Sequence, residues 1–278
     1  MPRGTQPQVR ARFPFDAGAK PVLSSGPGMI APSPAPPSDA RLLARTMVLI
    51  PALNEAECID ATVRYWRARF VSLVRVVDNG STDATAMRAG AAGAEVLAES
   101  RRGYGAACWT GLQAIPPAIE WILFSSADGS DQLADADVAA WQRAVDDGFD
   151  FILGDRCSTP ESRRHLKWIQ VLGNRLCCGL IYLGWGGRFK DMGSLRLIRR
   201  TSLDALRLED RGFGWNIEMQ VRALERGLRW VELPVPYHPR RAGRSKISGS
   251  VRGSIKAAWG MMNMIVRLWW RRGVISNQ

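Results

Sequence analysis

Residues 46–83 read TMVLIPALNEAECIDATVRYWRARFVSLVRVVDNGSTD, with a segment of helical period between two short apolar runs. The runs TMVLIP and LVRVVD are typical of strands that are buried on both faces. Between them, Ile59, Val63 and Trp66 recur at the spacing of one helix face. This segment predicts a strand, then a helix over residues 54–70, then a second strand.

The same alternation continues to residue 156. Three further apolar runs predict strands, namely AEVLAES at 94–100, EWILFSSAD at 120–128 and FDFILGDR at 149–156. The segments STDATAMRAGAAG, GYGAACWTGLQAI and ADVAAWQRAVDD predict the helices between them, the first with Ser81 or Thr82 as its N-cap. Strands that alternate with helices predict an α/β fold, with a mostly parallel sheet flanked by helices.

Composition divides the chain into three parts. Residues 1–44 carry nine of the sixteen prolines and no periodic pattern, which predicts a disordered leader. We expect one folded domain over 45–239 and a basic C-terminal segment over 240–278.

No secretory signal opens the chain, and no apolar run reaches the roughly 18 residues of a transmembrane helix. The adjacent Cys177 and Cys178 lie in an apolar stretch and are predicted to be core residues.

Charge is distributed unevenly along the chain. Residues 156–278 hold 24 Lys/Arg against 8 Asp/Glu, whereas residues 1–155 hold 14 against 18. A basic half indicates an anionic partner, which is nucleic acid, a phosphate-bearing substrate or an anionic lipid.

Each of the five predicted strands is followed by polar residues. These endings are PALNE at 51–55, DNGSTD at 78–83, RRGYG at 101–105, DGSD at 128–131 and GDR at 154–156. Turns and helix caps explain any one of them. Because ligands of parallel sheets bind at the carboxyl ends of the strands, five endings together predict a shared ligand site.

The order of these motifs resembles that of family 2 of the glycosyltransferases, nearest its dolichol-phosphate mannosyltransferase-like branch. The matching segments, over about residues 46–254, are VLIPALNEAECI, VRVVDNGSTDAT, RRGYGAACWTGL, SADGSD, ILGDR, GNRL, DMGSLRLIRR and VELPVPY. The resemblance implies a GT-A fold and an inverting transfer of a sugar from a UDP- or GDP-linked donor to an acceptor.

The resemblance also implies which residues bind the nucleotide-sugar. Asp78 matches the carboxylate that accepts a hydrogen bond from the base, and Gly80 allows close backbone approach. The other positions that match donor-binding residues are Pro51, Ala52, Asn54, Glu55, Arg102, Gly103, Ala127 and Asp128.

Asp128 matches the second carboxylate of a DxD-type motif, which implies a bound Mg²⁺ or Mn²⁺. Such cations prefer carboxylate and phosphate oxygens and neutralise charge on a leaving diphosphate. The family usually has an acidic residue where Ser126 stands, so Ser130 or Asp131 is expected to complete the ligand set. The departure at Ser126 leaves open an alternative, a metal-impaired or non-catalytic nucleotide-sugar-binding protein.

Three further positions are implied to act with Asp128 in catalysis. Arg156 closes a G-x-R strand ending and suits a phosphate, although it is also placed to pair with Asp155 or Asp128. Asp191 and Glu218 are candidate general bases for a hydroxyl acceptor. A phosphate acceptor is already ionised and needs no base. Glu218 alternatively pairs with Arg222, four residues further along its helix.

The C-terminal segment holds nine Lys/Arg and no Asp/Glu from Arg240 onward. The resemblance implies that Arg244, Ser245 and Lys246 approach the donor diphosphate or the acceptor. Residues 251–272 predict an amphipathic helix about 33 Å long, with Arg252 and Arg267 on a narrow polar face and many apolar residues opposite.

This amphipathic helix predicts peripheral attachment to an anionic membrane surface at the cytoplasmic face. Docking on the chain's own core or on a dimer partner is the alternative. Together with the cationic loop, the helix points to a polyprenyl phosphate or another lipid as the acceptor. The cations lie beside apolar residues rather than stacking aromatics, so nucleic acid is not expected as a partner. The sequence does not indicate an oligomeric state.

Overall fold

The computed structural model of the protein describes residues 40–69, 71–166, 168–240, 242 and 251–275. Its strands are β1 Thr46–Ala52, β2 Leu73–Asp78, β3 Glu95–Ala98, β4 Trp121–Phe124, β5 Phe151–Asp155, β6 Arg196–Arg199 and β7 Trp230–Pro234. Its helices are α1 Ala40–Leu43, α2 Ile59–Arg67, α3 Thr85–Ala91, α4 Tyr104–Gly111, α5 Asp135–Asp146, α6 Pro160–His165, α7 Trp168–Trp185, α8 Arg200–Leu206, α9 Trp215–Glu225 and α10 Val251–Ile275.

The seven strands form one sheet in the order β3-β2-β1-β4-β6-β5-β7. All neighbouring pairs are parallel except those of β6, which runs antiparallel between β4 and β5. The expected α/β class with a mostly parallel sheet is therefore confirmed. The insertion of β6 was not predicted, since nothing in its short apolar run specifies its partners or its direction.

Helices cover both faces of the sheet, and successive strand residues face opposite cores. Met47 and Leu49 of β1 lie in a core shared with α4, α7, α8, α9 and α10, whereas Val48 and Ile50 lie in a core shared with α1, α2, α3 and α5. Cys177 and Cys178 are buried in the first core, as predicted, and all five cysteines are unpaired.

Two helices begin later than their sequence patterns predict. The helix predicted over residues 54–70 includes residues 54–58, but Asn54 has a left-handed backbone, with φ of 52°, and α2 begins at Ile59. Neither Ser81 nor Thr82 caps α3, which begins at Thr85 with Ala84 at the N-cap position. The cause is tertiary, because these two loops hydrogen-bond each other instead of extending their own helices.

The folded region begins earlier than the predicted leader boundary allows. Ala40–Leu43 form α1, and Leu42 and Leu43 are buried in the core beside α2 and α5. Residues 1–39 of the predicted leader lie outside the described residues.

At the other end of the chain, α10 packs against α7 and α9, so it belongs to the same folded body. Among the described residues, no helix combines the length and apolar character that crossing a membrane requires.

Candidate functional site

The strand order places the predicted site residues at one edge of the sheet. Asp78 ends β2, Asp128 follows β4 and Arg156 follows β5, and the parallel strands all point their carboxyl ends this way. Because β6 is antiparallel, the loop before it, Gly193–Leu195, reaches the same edge. We call this side of the sheet the carboxyl edge.

The first loop after β1 is bound to the loop before α3. Pro51 and Ala52 are the last residues of β1. The Asn54 N–H donates to Ser81 Oγ at 2.8 Å, and the Asn54 side-chain oxygen accepts from the Thr82 N–H at 2.7 Å. These bonds hold the ends of β1 and β2 together and fix the Asn54 conformation.

Asp78 carries an unsatisfied oxygen at this junction. Its Oδ2 accepts from the Ser81 N–H at 3.1 Å, whereas its Oδ1 is buried and has no hydrogen-bond partner among the described residues. Gly80, with φ of 76°, lies beneath Arg102, whose Nε would be 3.3 Å from a Cβ at Gly80. A buried carboxylate oxygen without a donor fits a ligand N–H, such as that of a nucleotide base.

Gly103 contributes close packing rather than a polar group. Its N–H donates to Asn79 Oδ1 at 2.8 Å, and a Cβ on it would lie 2.1 Å from the carbonyl oxygen of Arg211. The Asn79 amide also donates to the carbonyls of Glu99 and Arg101, so it shapes the whole loop before α4. Sequence reasoning missed Asn79, although it directly follows Asp78.

Asp128 is oriented by two serine residues. Its Oδ1 accepts from Ser126 Oγ at 2.9 Å, from the Ser130 N–H at 3.0 Å and from Ser130 Oγ at 2.6 Å. Ser126 therefore fixes the Asp128 carboxylate instead of supplying a second charge. Between them, Ala127 is buried, and its carbonyl accepts from Thr62 Oγ1 at 3.2 Å.

Asp131 is buried beneath this loop. Its Oδ2 accepts from the Ser126 N–H at 2.7 Å and from Ser194 Oγ at 2.8 Å, so it ties the loop to the segment before β6. Burial, and then the nearby Asp128 carboxylate, raise the pKa of Asp131 above its usual value. In this arrangement Asp131 acts as an anchor of the loop.

The chemistry of the Asp128 loop suits a hard divalent cation. Asp128 Oδ2 accepts none of the serine bonds, and the hydroxyls of Ser126 and Ser130 lie beside the same carboxylate. Mg²⁺ and Mn²⁺ are commonly held by one or two carboxylates together with substrate phosphates. The oxygens present therefore fit such an ion, with Asp128 as its charged protein ligand.

A second group of acidic and thiol side chains already has cationic side chains as partners. Ligand atoms of Asp155, Cys157 and Asp191 lie within 4.8 Å of one another. However, Lys190 Nζ is 3.3 Å from Asp155 and Arg156 pairs with Asp191. These two cations already supply the positive charge that a metal would bring.

Asp191 and Arg156 form a buried ion pair. Arg156 Nε and Nη2 lie 2.7 and 2.8 Å from the two Asp191 oxygens, and Asn174 donates to Asp191 at 2.7 Å. Burial alone would raise the pKa of Asp191, but the Arg156 charge and hydrogen bonds hold it below its usual value. The alternative pairing of Arg156 with Asp155 or Asp128 is wrong. Arg156 also lies over the Tyr237 ring, 5.2 Å from its centroid.

Glu218 is likewise enclosed, and it supports a loop. Its carboxylate accepts from the N–H groups of Glu209 and Asp210 at 3.0 and 2.7 Å, and Arg222 Nε is 3.9 Å away. Burial raises the pKa of Glu218, while the two backbone bonds and Arg222 oppose the rise. The supported loop continues to Gly212, which packs on the start of α4.

Arg240 is a site residue that the sequence interpretation missed. Its Nη1 and Nη2 each lie 2.6 Å from a Glu55 oxygen, and its Nε lies 3.4 Å from Asp128 Oδ2. The preceding segment follows the Asp128 loop, where the His238 N–H donates to the Ser130 carbonyl at 3.2 Å. The only sequence signal was its place at the start of the basic run. Arg244, Ser245 and Lys246, predicted for the same run, lie outside the described residues.

Two helices on one side of the sheet expose large apolar side chains, and we call this area the α7–α10 surface. It is formed by Trp168, Ile169, Leu172, Leu176 and Leu183 of α7 and by Trp259, Val266 and Trp270 of α10. Trp259 and Trp270 are 70% and 77% exposed. The cations Arg175, Arg188 and Arg267 are exposed on or beside these helices.

The opposite side of α10 packs on the protein itself. Met264, Ile265 and Leu268 are buried in the core shared with α7 and α9. The apolar face that the sequence of residues 251–272 predicts for membrane contact includes Ile265 and Leu268. For these two residues the prediction is wrong, and the alternative of docking on the chain's own core holds. Helical periodicity shows that this helix has a wide apolar face. It cannot show which part of that face packs on the protein and which part is exposed.

Relatives in sequence share most of the chain, although no family model matches it. An uncharacterized glycosyltransferase of Mycobacterium tuberculosis strain H37Rv is 37% identical over 216 residues, which are 76% of this chain and 93% of that protein. The polyprenol monophosphomannose synthase of Mycolicibacterium smegmatis is 29% identical over 86% of this chain and 94% of its own length. The undecaprenyl-phosphate mannosyltransferase of Micrococcus luteus is 29% identical over 78% and 94%.

Solved structures share the fold at lower identity. The M. tuberculosis glucosyl-3-phosphoglycerate synthase, in complex with Mn²⁺, UDP and glucosyl-3-phosphoglycerate, superposes with a TM-score of 0.66 at 19% identity. The match covers 82% of this chain and 83% of that one. At this identity the likeness concerns the chain fold alone.

Proposed function

The chain belongs to the family 2-like glycosyltransferases and has their GT-A fold, and from this premise we propose that it transfers a sugar from a UDP- or GDP-linked donor to a polyprenyl phosphate. Two of the relatives, from M. smegmatis and M. luteus, are named for mannose. The donor binds at the carboxyl edge, and the lipid approaches from the α7–α10 surface.

The donor site is supported by Asp78 and Asp128. The unsatisfied Asp78 oxygen would accept a base N–H, and the loop of Asn54 and Glu55 lies beside it. Asp128 would hold a Mg²⁺ or Mn²⁺ ion, which supplies positive charge to the departing diphosphate. The Mn²⁺–UDP complex of the structural neighbour supports a divalent ion without deciding between the two metals.

The observation that carries the acceptor assignment is the engagement of both candidate bases. Asp191 is held by Arg156 and Asn174, and Glu218 is held by two backbone N–H groups, so neither is placed to take a proton from a hydroxyl. A phosphate oxygen is already a nucleophile. It would attack the anomeric carbon as the bond from that carbon to the diphosphate breaks, inverting the configuration and releasing the nucleoside diphosphate.

The lipid nature of the acceptor is supported from two directions. Two of the relatives are named for polyprenol or undecaprenyl phosphate substrates. Independently, the α7–α10 surface combines exposed tryptophan and leucine with arginine, a composition that suits the interface of an anionic membrane. We therefore propose that the protein attaches peripherally to the membrane at its cytoplasmic face.

A donor and acceptor screen tests this function. Purified protein is incubated with labelled UDP- and GDP-sugars, Mg²⁺ or Mn²⁺, and either a polyprenyl phosphate or the matched polyprenol without phosphate. We expect labelled lipid only with the phosphate form. Transfer to polyprenol or to a soluble hydroxyl acceptor, with none to the phosphate, would contradict the assignment.

Ser126 favours one other candidate, a nucleotide-sugar-binding protein without turnover, since it donates a hydrogen bond to Asp128 where the family usually has a second carboxylate. Donor binding without release of nucleoside diphosphate, across every acceptor in the screen, would favour that candidate.

A further inference from the structure

Arg240 occupies the space between two carboxylates of the carboxyl edge. It makes a two-bond pair with Glu55 on the first loop and approaches Asp128 on the loop after β4. The side chains of Arg240, Glu55 and Asp128 are 18%, 9% and 19% exposed, so the three charges are largely screened from water. At this burial, charges interact more strongly than on an open surface.

The position of Arg240 matters because Asp128 Oδ2 is the carboxylate oxygen that accepts no hydrogen bond from Ser126 or Ser130. Arg240 Nε lies 3.4 Å from it and makes no hydrogen bond within the described part of the chain. A guanidinium at that distance occupies the place of a cation on Asp128 without forming a full bond to it. A divalent ion on the same oxygen would be repelled by the arginine charge.

Resting on the function proposed above, we propose that Arg240 is a positioning residue that competes with the divalent metal for Asp128 in the empty donor site. When the donor diphosphate binds, its negative charge draws the guanidinium away from Asp128 and frees the oxygen for the metal. Arg240 thereby makes metal binding depend on the presence of a nucleoside diphosphate.

This competition also gives a reason for serine at position 126. A second carboxylate there would add another anion to the site and hold a metal without nucleotide. With Ser126 donating to Asp128, two acidic groups lie next to Arg240, namely Glu55 and Asp128. The Arg240 guanidinium then balances one of their two negative charges.

Mn²⁺ binding to the intact protein tests the proposal without any turnover. Mn²⁺ affinity is measured by calorimetry for the wild type and Arg240→Gln, each with and without UDP or GDP. Without nucleotide, we expect Arg240→Gln to bind Mn²⁺ about fivefold more tightly, or better, because a repelling charge at about 4 Å has been removed. We expect the nucleotide to strengthen Mn²⁺ binding less in Arg240→Gln than in the wild type.

Two further variants keep this test sharp. Arg64→Gln removes an equal charge from an exposed ion pair on α2 and should match the wild type. Because Arg240→Gln removes one ion-pair partner of Glu55, the charge-balanced double variant Glu55→Gln/Arg240→Gln is measured as well. It should bind Mn²⁺ more tightly than the wild type, because Arg240 no longer occupies Asp128, but less tightly than the single variant, because it also lacks the Glu55 charge.

Wild-type Mn²⁺ affinity in both Arg240 variants, or no Mn²⁺ binding by any form, would overturn the competition. Neither result would decide the transferase function, which the lipid-transfer assay tests separately. Conversely, failure of lipid transfer would not alter the Mn²⁺ measurement.

Discussion

The carboxyl edge and the α7–α10 surface differ in the partners of their side chains. At the edge, Asp128 accepts three hydrogen bonds and Asp191 is paired with Arg156. On the α7–α10 surface, Trp259 and Trp270 are mostly exposed and pack on little of the protein. A polar region with fixed partners suits small rigid ligands, whereas an exposed apolar region suits a fluid partner such as lipid.

The contrast implies that the two regions can be damaged separately. Changes at the edge should abolish transfer and leave vesicle binding intact. Changes on the surface should weaken vesicle binding and lipid transfer and leave donor binding intact.

The largest effect is expected for Asp128→Asn. The amide keeps the shape of the carboxylate but loses the charge that would hold a metal, which is worth several kcal/mol at the leaving group. We expect sugar transfer to fall by about 10³-fold, with an unchanged circular dichroism spectrum and unchanged vesicle binding. Asp135→Asn, at an exposed ion pair on α5, is the matched control. Near-normal transfer by Asp128→Asn would remove Asp128 from the metal role.

A second prediction compares two helical glycines. A Cβ on Gly105 of α4 would lie 2.5 Å from the Asp210 carbonyl oxygen, whereas a Cβ on Gly173 of α7 would meet nothing within 4 Å. We expect Gly105→Ala to lower the free energy of unfolding by about 1–3 kcal/mol through overpacking. Gly173→Ala should raise it by up to about 1 kcal/mol, because alanine favours helix. Urea unfolding measures both, and equal effects would contradict the packing contrast.

The surface prediction concerns the exposed tryptophans of α10. Trp259→Ala/Trp270→Ala removes two large apolar side chains that would be buried in a membrane, each worth up to about 2 kcal/mol. We expect binding to anionic vesicles in a flotation assay to fall at least about tenfold, with donor binding unchanged. Met87→Ala, at a residue of similar exposure on α3, should bind vesicles normally. Normal flotation of the double variant would exclude this surface as the membrane contact.

The smallest effect is expected at Glu232, on β7. Its carboxylate accepts from the N–H groups of Lys190 and Asp191, and burial raises its pKa from the ordinary 4.5 to about 7. The folded protein therefore holds this proton more tightly than the unfolded chain does. The stability it contributes is complete below pH 4.5, is lost as the pH rises towards 7, and changes no further above it.

Glu232→Gln should weaken the pH dependence of the free energy of unfolding between pH 4.5 and 7, by at most the contribution of one proton. Urea unfolding at pH 5, 6, 7 and 8 measures it, and parallel profiles for the variant and the wild type would exclude the assignment.

Sequence reasoning located the strand ends well and the side-chain partners poorly. The polar endings after β1, β2, β4 and β5 do lie at one edge, because parallel strands must align their carboxyl ends. In contrast, the family resemblance implies Asp191 as a candidate general base, and only the fold brings Asn174 and Arg156 against it. Partners distant in sequence leave no local pattern.

The amino-acid sequence by itself determined the class of fold, the sheet edge that carries the site and the basic C-terminal half, because period, strand endings and charge are local properties. Only the tertiary structure decided the antiparallel insertion of β6, the burial of Ile265 and Leu268, and the pairing of Arg240 with Glu55 across 185 residues. These contacts join residues that are distant in sequence, so they are decided only when the folded chain brings those residues together.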